Sequence, residues 1–363
     1  MITILLALFC LQEPVQIPLP EGIRHSPTLS PDGKWIYYFE SMKNKPENFR
    51  KWARNEALCR TSGDGVTIEK VIELGDTRGR LHWAPDGSQI YLTRRVTDTN
   101  GDGEIGFGDG MSLTSLDPDG KNSKDLRSAS PDSLTIYYTL PNGDLLLGLR
   151  DSYQGSTPKI IQFSPGKEDK EIAKGWTYYP IDSKIGIIRT LKVDQNADGK
   201  IGFRDMGSLS FINLESGERK PFEPTHVLRG PIPYEGGLLF SQLQGKEGKP
   251  PGWNDNCSLI QSDARGNNQT PLTEPDSIWI PIKALSGSIL LHRTRGSQTE
   301  IGLLNNAKEW KSLWVAPEGK QVGFPWVSPD QKTILFAVLE DGNKDGNLIP
   351  GEDRSNLLKL SLK

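Results

Sequence analysis

Three segments of this chain repeat one arrangement of oxygen-bearing side chains. In each, an acid, an amide and a second acid stand at alternate positions before a glycine, and a further acid closes the segment: residues 98–109, 194–205 and 341–352. Carboxylate and amide oxygens on alternate residues of a tight loop, with a carbonyl at position seven and an acid at position twelve, supply the about seven oxygens that Ca²⁺ prefers. The spacing therefore predicts up to three bound Ca²⁺ ions.

The predicted metal ligands occupy equivalent positions in the three loops, with the residue at position seven contributing its backbone carbonyl. In chain order they are Asp98, Asn100, Asp102, Glu104 and Asp109; Asp194, Asn196, Asp198, Lys200 and Asp205; and Asp341, Asn343, Asp345, Asn347 and Glu352. In the third loop Asp353 competes with Glu352 as the closing ligand. A polar hairpin tip without an ion is the alternative interpretation, because Asp, Asn and Gly favour turns on their own account.

Position eight of each loop is aliphatic, as Ile105, Ile201 and Leu348, which is typical of a residue that packs inward while its neighbours face an ion. The flanking segments alternate apolar and polar residues, for example at 111–116, and this alternation predicts strands. An EF-hand would need a helix on each side. We therefore expect EF-hand-like loops of the D-x-N-x-D-G dockerin type set in β-hairpins, without a groove that opens on calcium binding.

A turn motif, Ser-Pro-Asp-Gly or a close variant, stands at 30–33, 84–87, 130–133 and 328–331. Proline presets φ at the second turn position and Asp-Gly reverses the chain, so each copy predicts a turn between the first and second strands of a repeat. Strands of like pattern begin near Ile36, Ile90, Leu145, Ile187, Leu238, Ile289 and Ile334. Their spacing is that of four-stranded propeller blades of roughly 40 to 50 residues.

The repeat predicts an all-β fold, a seven-bladed β-propeller of four-stranded antiparallel blades, over a single domain at residues 14–363. The segment 15–19 is expected to supply the fourth strand of the last blade and so close the ring; its prolines suit an edge strand. The calcium loops fall in blades two, four and seven. Each would join a second strand to a third, and all three would then lie on one face of the ring.

The Ser-Pro-Asp-Gly turn followed by an aromatic strand resembles the WD40-like PD40 repeats of TolB-type propellers. The resemblance covers most of the chain, and it implies an exported propeller that acts mainly as a binding platform. Similar propellers also precede the hydrolase domain of prolyl-oligopeptidase-like peptidases. No G-x-S-x-G nucleophile motif is found in this sequence, so a peptidase triad is not expected.

The first residues favour export. Residues 2–11 form an apolar run of signal-peptide length that is too short to span a bilayer, and we expect residues 1–13 to be a signal peptide, although the basic region that usually precedes such a run is missing. Cys10 leaves lipidation open, but Phe9 stands where lipid-modified signals carry a small residue. A periplasmic or secreted protein would meet enough calcium to fill sites of extracellular affinity.

Cys59 and Cys257 are expected to be buried free thiols on blades that are not neighbours.

The sequence favours a binding protein over an enzyme. It contains no phosphate-binding glycine loop and no basic run, which argues against a nucleic-acid partner. The net charge is -3, and three Ca²⁺ ions would reverse its sign. We expect a monomeric platform for a protein or glycan ligand, with calcium mainly structural; the alternative is a hydrolase or lyase with its site in the central channel. A transition-metal site would have to draw on the four histidines, His25, His82, His226 and His292.

Overall fold

The computed structural model describes residues 13–42, 55–76, 80–106, 109–127, 133–150, 158–191, 207–243, 255–341, 348 and 353–362. Within these ranges the chain forms 28 strands and no helix. The strands make seven antiparallel sheets of four, and each sheet is one blade of a seven-bladed β-propeller. The fold class predicted from the repeat is confirmed. Of the predicted signal peptide, only Glu13 lies within the described residues.

The first four blades take their strands in chain order. Blade one is β2 (Arg24–Leu29), β3 (Trp35–Ser41), β4 (Glu56–Ser62) and β5 (Ile68–Gly75); blade two is β6 (His82–Trp83), β7 (Ile90–Arg94), β8 (Ser112–Leu116) and β9 (Lys124–Arg127); blade three is β10 (Ser133–Thr139), β11 (Leu145–Arg150), β12 (Lys159–Phe163) and β13 (Lys170–Lys174); blade four is β14 (Thr177–Pro180), β15 (Ile185–Thr190), β16 (Ser208–Asn213) and β17 (Arg219–Phe222).

The remaining blades follow the same order until the ring closes. Blade five is β18 (Val227–Tyr234), β19 (Gly237–Leu243), β20 (Cys257–Ser262) and β21 (Thr270–Pro271); blade six is β22 (Ile278–Leu285), β23 (Ser288–Arg295), β24 (Gln298–Asn305) and β25 (Trp310–Val315); blade seven is β26 (Lys320–Val327), β27 (Thr333–Glu340) and β28 (Arg354–Ser361), completed by β1 (Val15–Gln16).

The early strand β1 closes the ring, as predicted. Val15 pairs with Lys359 and Gln16 with Leu358, and the N–H of Ile17 donates to the carbonyl of Leu357 at 2.9 Å. Ile17 is 3% exposed because it packs between the last blade and the first. The hydrogen bonds of this strand therefore join the two ends of the chain.

The core lies between the blades. In β3 four successive side chains, Ile36, Tyr37, Tyr38 and Phe39, are at most 1% exposed, because the second strand of a blade is covered on both faces by the neighbouring blades. Tyr37 and Phe39 pack toward the second blade, whereas Ile36 and Tyr38 pack toward the seventh. This explains the unbroken apolar runs of the second strands.

The turn motif has the predicted geometry in blades one, two and seven. In blade one the N–H of Gly33 donates to the carbonyl of Ser30 at 2.9 Å, and Gly33 has a φ of 74°, which glycine adopts without strain. The prediction for residues 130–133 is wrong, because Ser133 already begins the first strand of blade three. The equivalent turn there starts at Leu140, which accepts the N–H of Gly143 at 2.9 Å. Pro141-Asn142-Gly143 forms this turn as well as Pro-Asp-Gly would, so the Pro-Asp pair at 131–132 does not mark the turn between the first and second strands of blade three.

First strands of neighbouring blades contact one another, for example β6 with β10 and β18 with β22, so they form the innermost ring around the axis. Three of them carry the same irregularity: Ser26, Gly230 and Phe324 have φ values of 51°, 86° and 51°, each precedes a proline, and strand pairing shifts there. An edge strand tolerates both features because its outward N–H groups have no ladder partner. Such bulges redirect adjacent side chains.

The connections divide between two faces. The turns between first and second strands lie on one face, which we call the turn face, and those between second and third strands lie on the opposite hairpin face. The segments 98–109, 194–205 and 341–352 all join a second strand to a third. The flanking strands therefore begin and end each of these three connections on the hairpin face.

Candidate metal sites and the central channel

The first predicted calcium loop folds back on its own backbone. The two carboxylate oxygens of Asp98 accept the N–H groups of Gly101 and Gly103, both at 2.7 Å. Asn100 Oδ1 accepts the N–H of Asp102 at 2.9 Å, and Asp102 Oδ1 accepts the N–H two residues further on at 2.9 Å. Three successive Asx-type turns thus hold the oxygen-bearing side chains of positions one, three and five against the same short loop.

Asp109 closes this loop. Its Oδ1 accepts the N–H groups of Thr99 at 2.8 Å and Asn100 at 3.2 Å, and its Oδ2 accepts the N–H of Gly106 at 2.8 Å. The N–H of Gly110 donates to the Thr99 hydroxyl at 2.7 Å. Asp109 is 2% exposed. The closing acid therefore ties the start of the loop to its end. Its Oδ1 accepts two backbone N–H groups, whereas its Oδ2 accepts one and keeps a lone pair for a cation.

The donor set of this loop fits Ca²⁺, because it consists of carboxylate, amide and carbonyl oxygens. Ile105, the predicted inward-facing residue, is 5% exposed. Within the described ranges, however, no three His, Cys, Asp or Glu side chains are grouped as a metal centre requires. Asp98, Asp102 and Asp109 would have to converge on an ion.

Most of the other predicted ligands lie outside the described residues. These are Asp194, Asn196, Asp198, Lys200 and Asp205 of the second loop, and Asn343, Asp345, Asn347 and Glu352 of the third. Asp341 directly follows β27, Leu348 is half-buried, and Asp353 is 1% exposed. Asp353 thus matches Asp109 in burial.

A buried ion pair connects the first loop to the preceding blade. The Arg95 guanidinium pairs with Asp76, which follows the outer strand of blade one, and these side chains are 0% and 1% exposed. Their backbones exchange hydrogen bonds of 2.8 and 3.1 Å. Arg95 Nε also donates to the backbone carbonyl of Asp109 at 2.9 Å. Sequence reasoning missed this pair, because the two residues belong to different blades and no spacing rule connects them.

His25 lies on the inner strand β2, as predicted, but it is enclosed. Its Nε2 is 2.8 Å from a carboxylate oxygen of Glu56 and its Nδ1 is 3.1 Å from the Ser26 hydroxyl. Phe39 and Phe324 lie against the imidazole, with centroid distances of 5.3 and 5.4 Å. His25 is 4% exposed and Glu56 0%. The positive φ of Ser26 recurs in blades five and seven, so it is a property of the repeat and not of a nucleophile.

The other histidines are distributed over separate blades. His82 is on β6 of blade two and His292 on β23 of blade six, whereas His226 directly precedes blade five. Burial lowers the pKa of His292 to about 4, and burial together with the positive charge of Arg80 lowers the pKa of His82 to about 4. Both are therefore neutral at pH 7. The described structure does not bring the four histidines together as a transition-metal site.

Two adjoining clefts lie on the turn face, with volumes of about 620 and 560 Å³. They extend across the turns of blades four, five and six and share Ile181, Asp182 and Ala264. The described part of the first predicted calcium loop lies on the opposite face. These clefts and the loops are therefore separate candidate sites.

No protein-family model matches this chain, and no curated protein matches it. Solved structures do. A prolyl endopeptidase shares 14% identity over 88% of this chain, with a TM-score of 0.57. The propeller domain of the Trilobed protease from Pyrococcus furiosus is 12% identical over 80% of this chain and 81% of its own, with a TM-score of 0.53. TolB from Acinetobacter baumannii is 13% identical over 89% of this chain and 79% of its own, with a TM-score of 0.44.

These similarities concern the fold. This chain spans about half of the prolyl endopeptidase, covering 47% of its length. Propellers of the same kind thus occur in proteases, and their low identity to this chain does not assign it that role. Among the described residues, no helix is long and apolar enough to cross a membrane.

Proposed function

We propose that this protein is an exported calcium-binding β-propeller that acts as a platform for a protein or glycan ligand, and that its calcium ions are mainly structural. The observation that carries the proposal is the geometry of the first loop. Asp98, Asn100 and Asp102 are held at alternate positions, and the buried Asp109 joins the two ends of the loop. Export would supply the millimolar calcium that such sites require.

A structural role for calcium follows from what the loop connects. Asp109 is joined through Arg95 to Asp76 in the preceding blade, so an ion that fixes Asp109 would also fix a blade interface. Without the ion, the loop would carry uncompensated carboxylates that repel one another. A ligand present at 100 times its Kd adds about 2.7 kcal/mol to stability at each site. Calcium should therefore stabilise the ring.

The position of the clefts favours structural over ligand-holding ions. A calcium-dependent lectin needs an open coordination position beside its ligand cleft. The clefts described above lie on the turn face, whereas the predicted loops are on the hairpin face. We expect the ligand surface and the ions to be separate.

The calcium proposal is tested by titrating Ca²⁺ into chelator-stripped protein by calorimetry and by melting it with and without Ca²⁺. We expect up to three ions and a higher melting temperature with calcium. Asp98→Asn with Asp102→Asn should remove one ion. Glu73→Gln with Glu218→Gln removes two exposed acids elsewhere and should retain every ion. No calcium uptake, or equal loss in both double variants, would refute the proposal.

The ligand class is tested on a glycan array and on immobilised extracellular proteins, with calcium or chelator, at a temperature where circular dichroism shows the stripped protein folded. Binding in both conditions supports structural calcium. Binding only with calcium by a protein folded in both would mean that an ion holds the ligand.

No specific observation among the described residues supports the enzyme alternative. His25 is enclosed by Phe39 and Phe324, and His82 and His292 lie in different blades. Turnover of a sugar or lactone that is lost in His25→Ala, with melting unchanged, would restore this alternative.

A further inference from the structure

The two clefts on the turn face join into one groove. Ile181, Asp182 and Ala264 belong to the walls of both clefts, whose volumes are about 620 and 560 Å³. Each volume lies in the range of about 300 to 1,000 Å³ in which proteins hold small ligands. We call the larger one the blade-four cleft, the smaller one the blade-six cleft and both together the turn-face groove. Because the clefts share a wall, one extended ligand can occupy both.

Two tight turns border the groove, at residues 234–237 and 285–288, and each reverses the chain in two residues. Glu235, Gly236 and Gly287 have φ values of 45°, 75° and 72°, and positive values are typical of such hairpin turns. A Cβ placed on Gly236 or Gly287 would meet no atom within 4 Å. These turns therefore leave open space at the groove.

The blade-four cleft has an apolar wall. Ile185 is 37% exposed although it begins a strand, and Ile181 and Phe211 are half-buried. Phe211 packs edge-on against Phe222, with ring centroids 5.5 Å apart, so the orientation of its ring is fixed. Apolar surface in a concave wall gains free energy when a ligand covers it. This cleft therefore favours an apolar side chain.

The charged side chains in the wall of the blade-six cleft are both acids, Asp182 and Glu235, and both are exposed. Asp182 Oδ1 accepts the N–H groups of Lys184 and Ile185, both at 2.7 Å, so the turn of blade four fixes this carboxylate. Glu235 Oε1 accepts the side-chain amide of Asn306 at 3.3 Å. Two positioned carboxylates therefore favour a cation in this cleft.

Acids also outnumber bases in the groove as a whole. Four acids and two bases line it: Asp182, Glu218, Glu223 and Glu235 against Lys220 and Arg265. Lys220 is paired with Glu218 at 3.2 Å. The excess of negative charge attracts a basic ligand and orients it, whereas a neutral glycan would gain nothing from it.

We propose, on the basis of the platform function above, that the turn-face groove binds an extended basic peptide segment of a partner protein. A Lys or Arg side chain of the peptide lies in the blade-six cleft and an apolar side chain in the blade-four cleft. A basic side chain suits the blade-six cleft because its aliphatic stem can cover Pro233 and Leu285 while its charged end reaches Asp182 and Glu235.

The experiment uses immobilised octapeptides on a Gly-Ser background, in which every pair of positions carries one basic residue, Lys or Arg, and one apolar residue, Phe or Leu. Matched arrays carry Glu in place of the basic residue or Ser in place of the apolar one. We expect the calcium-loaded protein to bind a subset of the first array and neither matched array. The strongest binder is then labelled with fluorescein and titrated by fluorescence anisotropy at two NaCl concentrations.

Removing the two carboxylates of the blade-six cleft tests the charge. Asp182→Asn with Glu235→Gln should weaken binding of the labelled peptide at least about threefold, the loss expected for two exposed charge pairs. It should also reduce the dependence of affinity on NaCl, because fewer charges are screened. Asn retains an oxygen for the backbone N–H groups that Asp182 accepts. The control Asp119→Asn with Glu73→Gln changes an exposed turn acid that also accepts a backbone N–H and an exposed strand acid outside the groove, and it should bind as the native protein does.

Blocking the shared wall tests the location. Ala264 is exposed and lines both clefts, so Ala264→Trp should weaken peptide binding at least about tenfold without lowering the melting temperature. The control Gln269→Trp places the same side chain at an exposed position outside both cleft walls and should retain binding.

The outcomes separate failure of the groove from failure of the platform function. No binding to the first array, equal binding to the Glu array, or equal affinity of the Ala264 and Gln269 variants would overturn the groove as a basic-peptide site. Displacement of the labelled peptide by spermidine at the peptide's own affinity would do the same, since a free cation would then suffice. Each of these results leaves the platform function intact if the protein binds the glycan array or the extracellular proteins described above.

Discussion

Replacing Arg95 by methionine tests how the first hairpin is tied to the ring. Arg95 and Asp76 are 0% and 1% exposed, so the variant leaves an acid buried without its main partner. Removing one member of a buried pair costs about 3–5 kcal/mol. With an unfolding entropy of about 2.1 cal/mol/K per residue over 363 residues, this lowers the melting temperature by about 4 to 7 °C.

The neighbouring residue supplies the control. Arg94 pairs with Asp125 at 3.0 Å, and these side chains are 19% and 37% exposed. A solvent-exposed pair contributes about 0–1 kcal/mol, so Arg94→Met should shift melting by no more than about 1 °C. The two substitutions are chemically identical and one residue apart, and they differ in the burial of the pair that is broken.

A double-mutant cycle and calcium binding complete the test. Asp76→Leu with Arg95→Met removes both buried charges and should be less destabilised than the sum of the single variants. Because Arg95 Nε holds the carbonyl of Asp109 at 2.9 Å, Arg95→Met should also weaken calcium binding in the first loop. Equal melting of the Arg94 and Arg95 variants, or strict additivity in the cycle, would refute the reasoning.

Three further predictions concern acid stability, thiol reactivity and closure of the ring. The pKa of His82 and His292 is about 4 in the folded protein, below the value of about 6.5 in an unfolded chain, so the free energy of unfolding should fall as pH drops from 7 toward 4 and then level off. Denaturant titrations of His292→Gln should show a smaller fall than those of the native protein, and an identical fall would contradict this prediction. Burial raises the pKa of Cys59 to about 12 and that of Cys257 to about 11. Iodoacetamide should therefore label neither thiol in the native protein at pH 8 and both thiols in guanidinium, as measured by mass spectrometry. Labelling of the native protein would argue against burial of these thiols. Ile17→Ala should cost about 2–5 kcal/mol, because Ile17 is 3% exposed where β1 closes the last blade; unchanged melting would mean that closure contributes little.

Much of the fold could be predicted because each repeat carries its own local signals. The predicted starts Ile36, Ile90 and Ile289 all fall on second strands, and Val15 pairs with the last blade. Cys59 and Cys257 are free and buried, as predicted. The register error in blade three arose because Pro-Asp also occurs ahead of a first strand, whereas the actual turn uses Pro-Asn-Gly.

The candidate sites were predictable only where their residues are neighbours in sequence. The first candidate calcium loop could be predicted because its oxygens follow one spacing within twelve residues. Glu56 was missed as the partner of His25, because the two residues lie on different strands of blade one. His25 was identified as an inner-strand residue, but its enclosure by Phe324 could not be seen from sequence.

The sequence by itself determined the number of blades, the closing strand and which strands the three acidic segments connect. Turn chemistry, strand alternation and connection order are local features of the sequence. In a ring of repeats, these features suffice to define the number of blades and the order of their strands. Only the tertiary structure decided that Asp76 pairs with Arg95 and that Phe324 lies against His25. These contacts form only when neighbouring blades pack against each other around the axis. The separation of two residues along the chain does not indicate whether their side chains will meet at such an interface.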